Sequence, residues 1–402
     1  MQPWPDRRIL DLFGIETPVI QAPMAGPGTP ELAIAVSEAG GLGSLPCASL
    51  SLDQARHGVA AIRQATSKPF NLNFFCHTPS AFDPARELAW RARLAPYAEE
   101  FGLDPLAPVP PSNRNPFDDA FCTLVEETRP EVVSFHFGLP DKALLDRVKA
   151  TGAKVISSAT TVAEARWLED HGCDAVIAMG LEAGGHRGMF LGKDSARQVG
   201  TFALVPQVAD AVKVPVIAAG GIADARGVVA AMALGAAAVQ IGTAYLFCPE
   251  ARTPAVHLQA LQSAADDDTT LTNLFTGGLA RGIINRLMRE VGPISPLAPA
   301  FPLAGVAAVE QASAWLLAHP GPEAHAGASA YLTLFGDVLG GFMLAKGALA
   351  AVRRQAAGEE SAWLAGKLGL AQVYADHVLT AAPGLAAAVA QDTAALKAVE
   401  LE

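Results

Sequence analysis

Ala175-Val176-Ile177-Ala178-Met179-Gly180, followed one residue later by Glu182-Ala183-Gly184-Gly185-His186-Arg187-Gly188, reads as an apolar strand running into a glycine-rich loop with one histidine. A strand apolar on both faces belongs in a buried parallel sheet. Loops that leave such strands are where α/β barrels and open α/β sheets place their chemistry. Glycines let the backbone approach a flat or phosphorylated ligand, and histidine exchanges a proton most readily near neutral pH. Alone, the segment fits a mobile loop with a surface histidine equally well. Its surroundings decide.

Similar short runs recur at 19–23, 42–45, 70–75, 132–137, 154–158, 215–219 and 238–241. Between them lie amphipathic segments, among them 29–39, 161–171 and 224–234, each closing on glycine (Gly40-Gly41, Gly172, Gly235), the usual helix stop. Eight alternations in about 240 residues predict a (β/α)8 TIM-type barrel. An open doubly wound sheet usually has fewer strands. The spacing places the barrel at 1–305. An insertion after strand three, at about 80–120, reads as a helical flap over the mouth. Beyond Ala251 the strand pattern stops, and 306–402 reads as an alanine-rich helical tail.

The 402 residues are 51% hydrophobic and 17% charged, so a large core and more than one domain are expected. A net charge of −11 argues against nucleic acid and anionic membrane surfaces as partners. No apolar run reaches the roughly 18–20 residues of a membrane span. The first residues do not form a signal peptide, and a cytoplasmic location is expected. Five scattered cysteines without metal-ligand spacing predict reduced thiols and no metal site.

In a barrel, a phosphate is expected at the loops after strands seven and eight. Those strands end in Ala219-Gly220-Gly221-Ile222-Ala223-Asp224 and Gln240-Ile241-Gly242-Thr243-Ala244. Glycines also end strands for structural reasons, but two such ends side by side point to a phosphate. No strand–GxGxxG–helix dinucleotide fingerprint is present, so a mononucleotide fits better. Ala22-Pro23-Met24 after strand one is small and apolar, suited to a planar ring. Asn71 and Asn73 share a strand face and, if buried, need partners that a flavin can supply.

These residues resemble the FMN-dependent nitronate monooxygenases, formerly called 2-nitropropane dioxygenases. The resemblance rests on 18–26, 40–44, 71–74, 133–138, 182–188, 219–222 and 240–243, in order, and spans about 5–305. A related enoyl-acyl-carrier-protein reductase branch shares the barrel and the Gly-Gly-His loop; Arg187 after the histidine looks more like the monooxygenase. The resemblance implies FMN bound by Ala22, Pro23, Met24, Asn71, Met179, Gly184, Gly220, Gly221, Gln240, Ile241, Gly242 and Thr243. Met179 departs from the pattern, since many relatives carry Gln there. His186 would be the catalytic base, or would receive a preformed nitronate anion. The implied reaction turns nitronate and O2 into a carbonyl compound and nitrite. His136 is a candidate for lining the substrate cavity. Arg187 either steers an anion or forms a surface pair, and the remaining histidines, His77 included, are expected at the surface.

From about Ser329 the tail resembles the C-terminal helical end of acyl-CoA dehydrogenases, without that family's catalytic parts. An apolar face left uncovered there suggests docking or a homodimer through the tail. Two other functions remain open: an NAD(P)H-dependent enoyl-thioester reductase, and a non-enzymatic FMN-binding or assembly protein.

Overall fold

Eight strands form one parallel sheet: β1 Val19–Gln21, β2 Gly43–Pro46, β3 Phe70–Phe75, β4 Val132–His136, β5 Lys154–Ala159, β6 Ala175–Met179, β7 Val216–Ala219 and β8 Ala238–Ile241, in the order β1-β8-β7-β6-β5-β4-β3-β2. The computed structural model describes residues 4–100, 114–192 and 194–304. Among these, 4–79 and 114–254 form one compact unit, and 80–100 with 255–304 a second.

The sheet closes between β1 and β2 through a parallel bridge, Ile20 to Leu42. The Gln21 amide donates to Leu42 O (3.0 Å), and the Leu42 amide to Val19 O (3.0 Å). One step further the backbones no longer pair, and the Gln21 side chain spans them. Its Nε2 donates to Ser44 O at 3.1 Å, and its Oε1 accepts from the Ser44 amide at 3.0 Å. The closed cylinder is the TIM-type barrel that the strand count predicts.

Alternate residues of each strand face opposite ways. On β6, Ala175 and Ile177 join an inner cluster with Ile20, Val132, Ile156 and Ile217. Val176 and Ala178 join the outer layer with Leu168, Val205 and Val208 of the surrounding helices. The helix α1 Arg8–Phe13 adds Ile9, Leu10 and Phe13 to the inner cluster. Its companions there include Val132, Ala175 and Ala238, the first residues of their strands, so α1 plugs the end where strands begin. Chemistry is left to the other end. From the level of Asn71, which pairs with Val132, toward that end the filling turns polar: Asn71 Nδ2 donates to Ser44 Oγ (3.0 Å) and Ser134 Oγ (2.9 Å), and Asn73 Nδ2 to Ser134 Oγ (3.0 Å).

The expected helices appear with their caps. In chain order, α2 Pro30–Glu38 starts under the Thr29 hydroxyl, and α3 Leu52–Ala65 follows β2. The next helix, α4 Pro84–Glu100, lies in the second unit, and α5 Asp119–Thr128 and α6 Lys142–Ala150 return to the barrel. Then α7 Val162–Asp170 starts under Thr161, α8 Thr201–Ala211 follows β6, and α9 Ala225–Ala233 starts under Asp224. Left-handed Gly40 (φ 86°), Gly172 (φ 93°) and Gly235 (φ 97°) stand just beyond α2, α7 and α9, as the stop signals predict.

In the second unit, α4, α10 Ala255–Ser263 and α11 Arg286–Val291 accompany an antiparallel pair, β9 Thr269–Thr272 and β10 Ala280–Ile283. This pair corrects the expectation that strands end at 251. A threonine-rich strand, Thr269–Thr272, and a half-buried Ala-Arg-Gly-Ile partner give no apolar run to read. Trp90, Leu274, Met288 and Ala298 form its core, with Trp90 Nε1 donating to Ala304 O at 3.3 Å. Residues 305–402, with the proposed tail, its resemblance to acyl-CoA dehydrogenases and its homodimer, lie outside the described residues. No helix among the described residues is long and apolar enough to cross a membrane.

Candidate active site

The loop after β6 is anchored from beneath by Arg187, only 2% exposed. Its Nη2 donates to Met179 O (2.9 Å), its Nη1 to Gly180 O (2.6 Å), and its Nε to Gln198 Oε1 (2.8 Å). Gln198 Nε2 in turn donates to Thr160 Oγ1 (2.9 Å), and Thr160 Oγ1 to Glu164 Oε2 (2.7 Å). The other oxygen, Glu164 Oε1, accepts from the Phe190 and Leu191 amides at 2.8 and 3.2 Å. Arg187 is therefore neither a surface pair nor an anion-steering group; it fastens the loop's two ends to strand ends. The sequence conceals this, because the partners lie between 7 and 38 residues apart.

Half-buried His186 stands on this loop among aromatic rings. Phe137 and Phe75 have their centroids 6.3 and 6.4 Å away. Phe137 packs on His136 (4.4 Å) with its backbone left-handed at φ 68°, a conformation bulky side chains adopt only where packing enforces it. His77 joins the cluster, 6.1 Å from Phe137, instead of sitting apart at the surface. Burial pushes the His186 imidazole down from 6.5 to about 3, with His136, Arg114 and His77 adding repulsion. His186 is thus neutral at neutral pH and able to accept a proton.

His136 Nε2 lies 3.1 Å from the His186 carbonyl oxygen and its Nδ1 2.7 Å from Ser158 Oγ. A carbonyl can only accept, so Nε2 carries the proton and Nδ1 accepts from the serine. Burial holds this imidazole down at about 4.

Across the mouth, glycines bring strand ends together. A Cβ on Gly184 would stand 3.8 Å from Thr243 Oγ1, and one on Gly242 3.5 Å from Ala22 Cβ and 3.9 Å from Met24 Sδ. Gly220 (φ 115°) has no room for a Cβ, which would lie 2.8 Å from the Ala183 amide, and Gly221 follows at φ 70°. Ala22, Met24, Ala183, Gly184, Gly220, Gly242 and Thr243 are thereby adjoining. Ile241 O takes the Ala22 amide at 2.8 Å, which ties the strand-one end to strand eight, and Pro23 follows on that segment. Met179 is buried at the end of β6. Asn71 stands on β3 within the polar layer. Asn71 Oδ1 and Gln240 Oε1 are buried acceptors without a hydrogen-bond partner. Buried polar atoms are rarely left so.

Among the described residues no cluster of His, Cys, Asp and Glu is arranged for a metal. All five cysteines are free, and burial pushes the Cys47 thiol up to about 12, away from nucleophilic use. Sequence reasoning missed Ser158, Phe75, Phe137 and His77. The signal was faint: Ser158 and His136 lie at the ends of adjacent strands, and only the fold brings them together.

A parallel barrel closed at one end and lined with polar groups at the other defines a barrel enzyme, and the comparisons with known proteins make it an oxidoreductase. The chain belongs to the nitronate monooxygenase family, whose model matches residues 6–359. It is 44% identical to a nitronate monooxygenase of Pseudomonas aeruginosa over 301 residues, 73% of this chain and 85% of that protein. Among solved structures it resembles the nitroalkane oxidase of Streptomyces ansochromogenes (TM-score 0.67, 37% identity, 74% of this chain and 84% of the other). FabK of Thermotoga maritima is also similar (TM-score 0.56, 34% identity, 72% of this chain and 78% of the other).

Proposed function

We propose that this chain uses FMN and O2 to oxidise alkyl nitronates, and the nitroalkanes that yield them, to a carbonyl compound and nitrite. The residues at the mouth fit the cofactor. Flavin N3–H and the ribityl hydroxyls are donors of the kind that Asn71 Oδ1 and Gln240 Oε1 lack. Gly220, Gly221, Gly242 and Thr243 would hold the phosphate, where bare backbone allows close approach. Ala22, Pro23, Met24, Met179, Gly184 and Ile241 would border the ring. A bound FMN supplies the redox chemistry, taking electrons from the substrate and delivering them to O2.

The protein's own part is proton transfer, orientation and exclusion of water. Neutral His186 accepts the α-proton of a nitroalkane at its ring nitrogen and then faces the resulting anion. That anion raises the affinity of the imidazole for its new proton, which stabilises the pair. Phe75 and Phe137 wall this spot with apolar surface. The observation that carries the reading is a histidine kept neutral on the same loop as Gly184, the residue that meets Thr243.

Anaerobic mixing of the purified protein with an alkyl nitronate tests the reading. Bleaching of bound flavin absorbance is expected there, and oxygen uptake without NAD(P)H is expected once air is admitted. NADH consumption with an enoyl thioester, and no reaction with nitronate, would replace it with the reductase reading. Bound FMN with neither reaction would favour a binding or assembly role.

A further inference from the structure

We infer that His136 and Ser158 form a positioning pair that sets the catalytic loop, with His136 acting on the base through the backbone and not on substrate. The inference rests on His186 being the base. Three independent contacts carry it. The His136 Nε2–H donates to the carbonyl of His186 itself at 3.1 Å, one peptide from the base's side chain. The tautomer that makes this bond possible is held by the Ser158 hydroxyl on Nδ1 at 2.7 Å. Two residues on, Gly188 presses onto the same pair: a Cβ there would collide with Ser158 Oγ and lie 2.8 Å from His136 Cε1.

The loop thus touches the pair at 186 through an acceptor and at 188 through a missing side chain. The last glycine of Glu182–Gly188 is explained by this contact and not by any ligand. Both His136 nitrogens are committed to protein, which leaves its ring edge, packed by Phe137 and Phe75, as the only part a substrate can meet. Ser158 stands on β5 and His136 at the end of β4, so the loop's register is referred to two rigid strands.

A displaced base impairs proton abstraction but matters less for a substrate that arrives already deprotonated. The test compares a neutral nitroalkane with its preformed nitronate. In His136→Phe, which keeps the ring and removes both polar contacts, nitroalkane turnover is expected to fall about 10- to 100-fold, the usual cost of a misplaced group. Nitronate turnover and flavin absorbance should stay within about threefold, since neither needs the displaced base. His136→Gln, whose amide can still donate to the carbonyl and accept from Ser158, should recover most of the loss. Ser158→Ala, should His136→Phe not fold, is expected to lose about three- to tenfold on nitroalkane alone, the worth of one hydrogen bond. Long-range nitrogen–proton spectra of the full chain should show His136 as the Nε2–H tautomer, not titrating across the neutral range.

Equal losses on both substrates, or none in either variant, overturn the inference. His186→Asn separates its fate from that of the base assignment. If His186→Asn abolishes nitroalkane turnover while His136→Phe and Ser158→Ala preserve it, only the positioning role falls. If His186→Asn itself turns over nitroalkane normally, the base assignment falls.

Discussion

Arg187 Nε lies 2.8 Å from Gln198 Oε1, so a guanidinium and a carboxamide close the base of the loop from its two ends. The arrangement uses the guanidinium fork fully, with two strand-end carbonyls on the other nitrogens.

Arg187→Met should therefore leave three buried acceptors short of a donor. A loss of roughly 2–4 kcal/mol is expected from chemical unfolding midpoints. Arg187→Lys, which keeps the charge but not the fork, should be intermediate. Wild-type stability in Arg187→Met would mean that the loop is fastened elsewhere.

The pH dependence of nitroalkane oxidation follows from His186. Burial disfavours the imidazolium, so a lower pH is needed to protonate the base, and the active neutral form persists into acid. The value of kcat/KM should be flat through neutrality and fall only as pH approaches about 3, not near 6.5. An acid limb close to 6.5 in the rate profile would contradict this.

Stability should respond to the same two histidines. Unfolded, each titrates near 6.5; folded, His136 titrates at about 4 and His186 at about 3. The unfolded chain binds more protons between these values. The stabilisation from neutral burial is therefore complete above 6.5 and lost as pH falls toward the folded values. Urea midpoints at about pH 7 and pH 4.5 should differ less in His136→Gln than in the wild type, because one titrating site is gone.

Gly220→Ala tests the phosphate position. The substitution puts a Cβ 2.8 Å from the Ala183 amide at a φ of 115° that side chains rarely adopt. The local backbone must move, and FMN affinity, read by quenching of flavin fluorescence, is expected to drop at least about tenfold. Gly152, left-handed with open space around it, serves as the control: Gly152→Ala should leave FMN binding unchanged.

Much of this molecule was legible before folding. Strand positions followed from apolar runs, and helix limits from Thr29, Thr161 and Asp224 at one end and glycines at the other, because such signals act within a few residues. The loop of His186 was readable for the same reason. What could not be read depends on distant chain segments. Arg187 looked like a surface cation because charge usually is exposed, and its carbonyl and carboxamide partners leave no mark in its neighbourhood. His77 looked solitary because its company, Phe137, arrives on the next strand. The pair β9–β10 went unseen since Thr-Thr-Leu-Thr against Ala-Arg-Gly-Ile carries no hydrophobic period.

Gln21 adds a last point. Around the rest of the cylinder, neighbouring strands are paired by main chain, and side-chain bonds such as those of Asn71 and Asn73 only add to that pairing. At Ser44 the stitch is a carboxamide that both gives and takes as a peptide unit does. The hoop therefore has a clasp written in a side chain, and Gln21→Leu would unfasten it while the rest of the weave stayed intact.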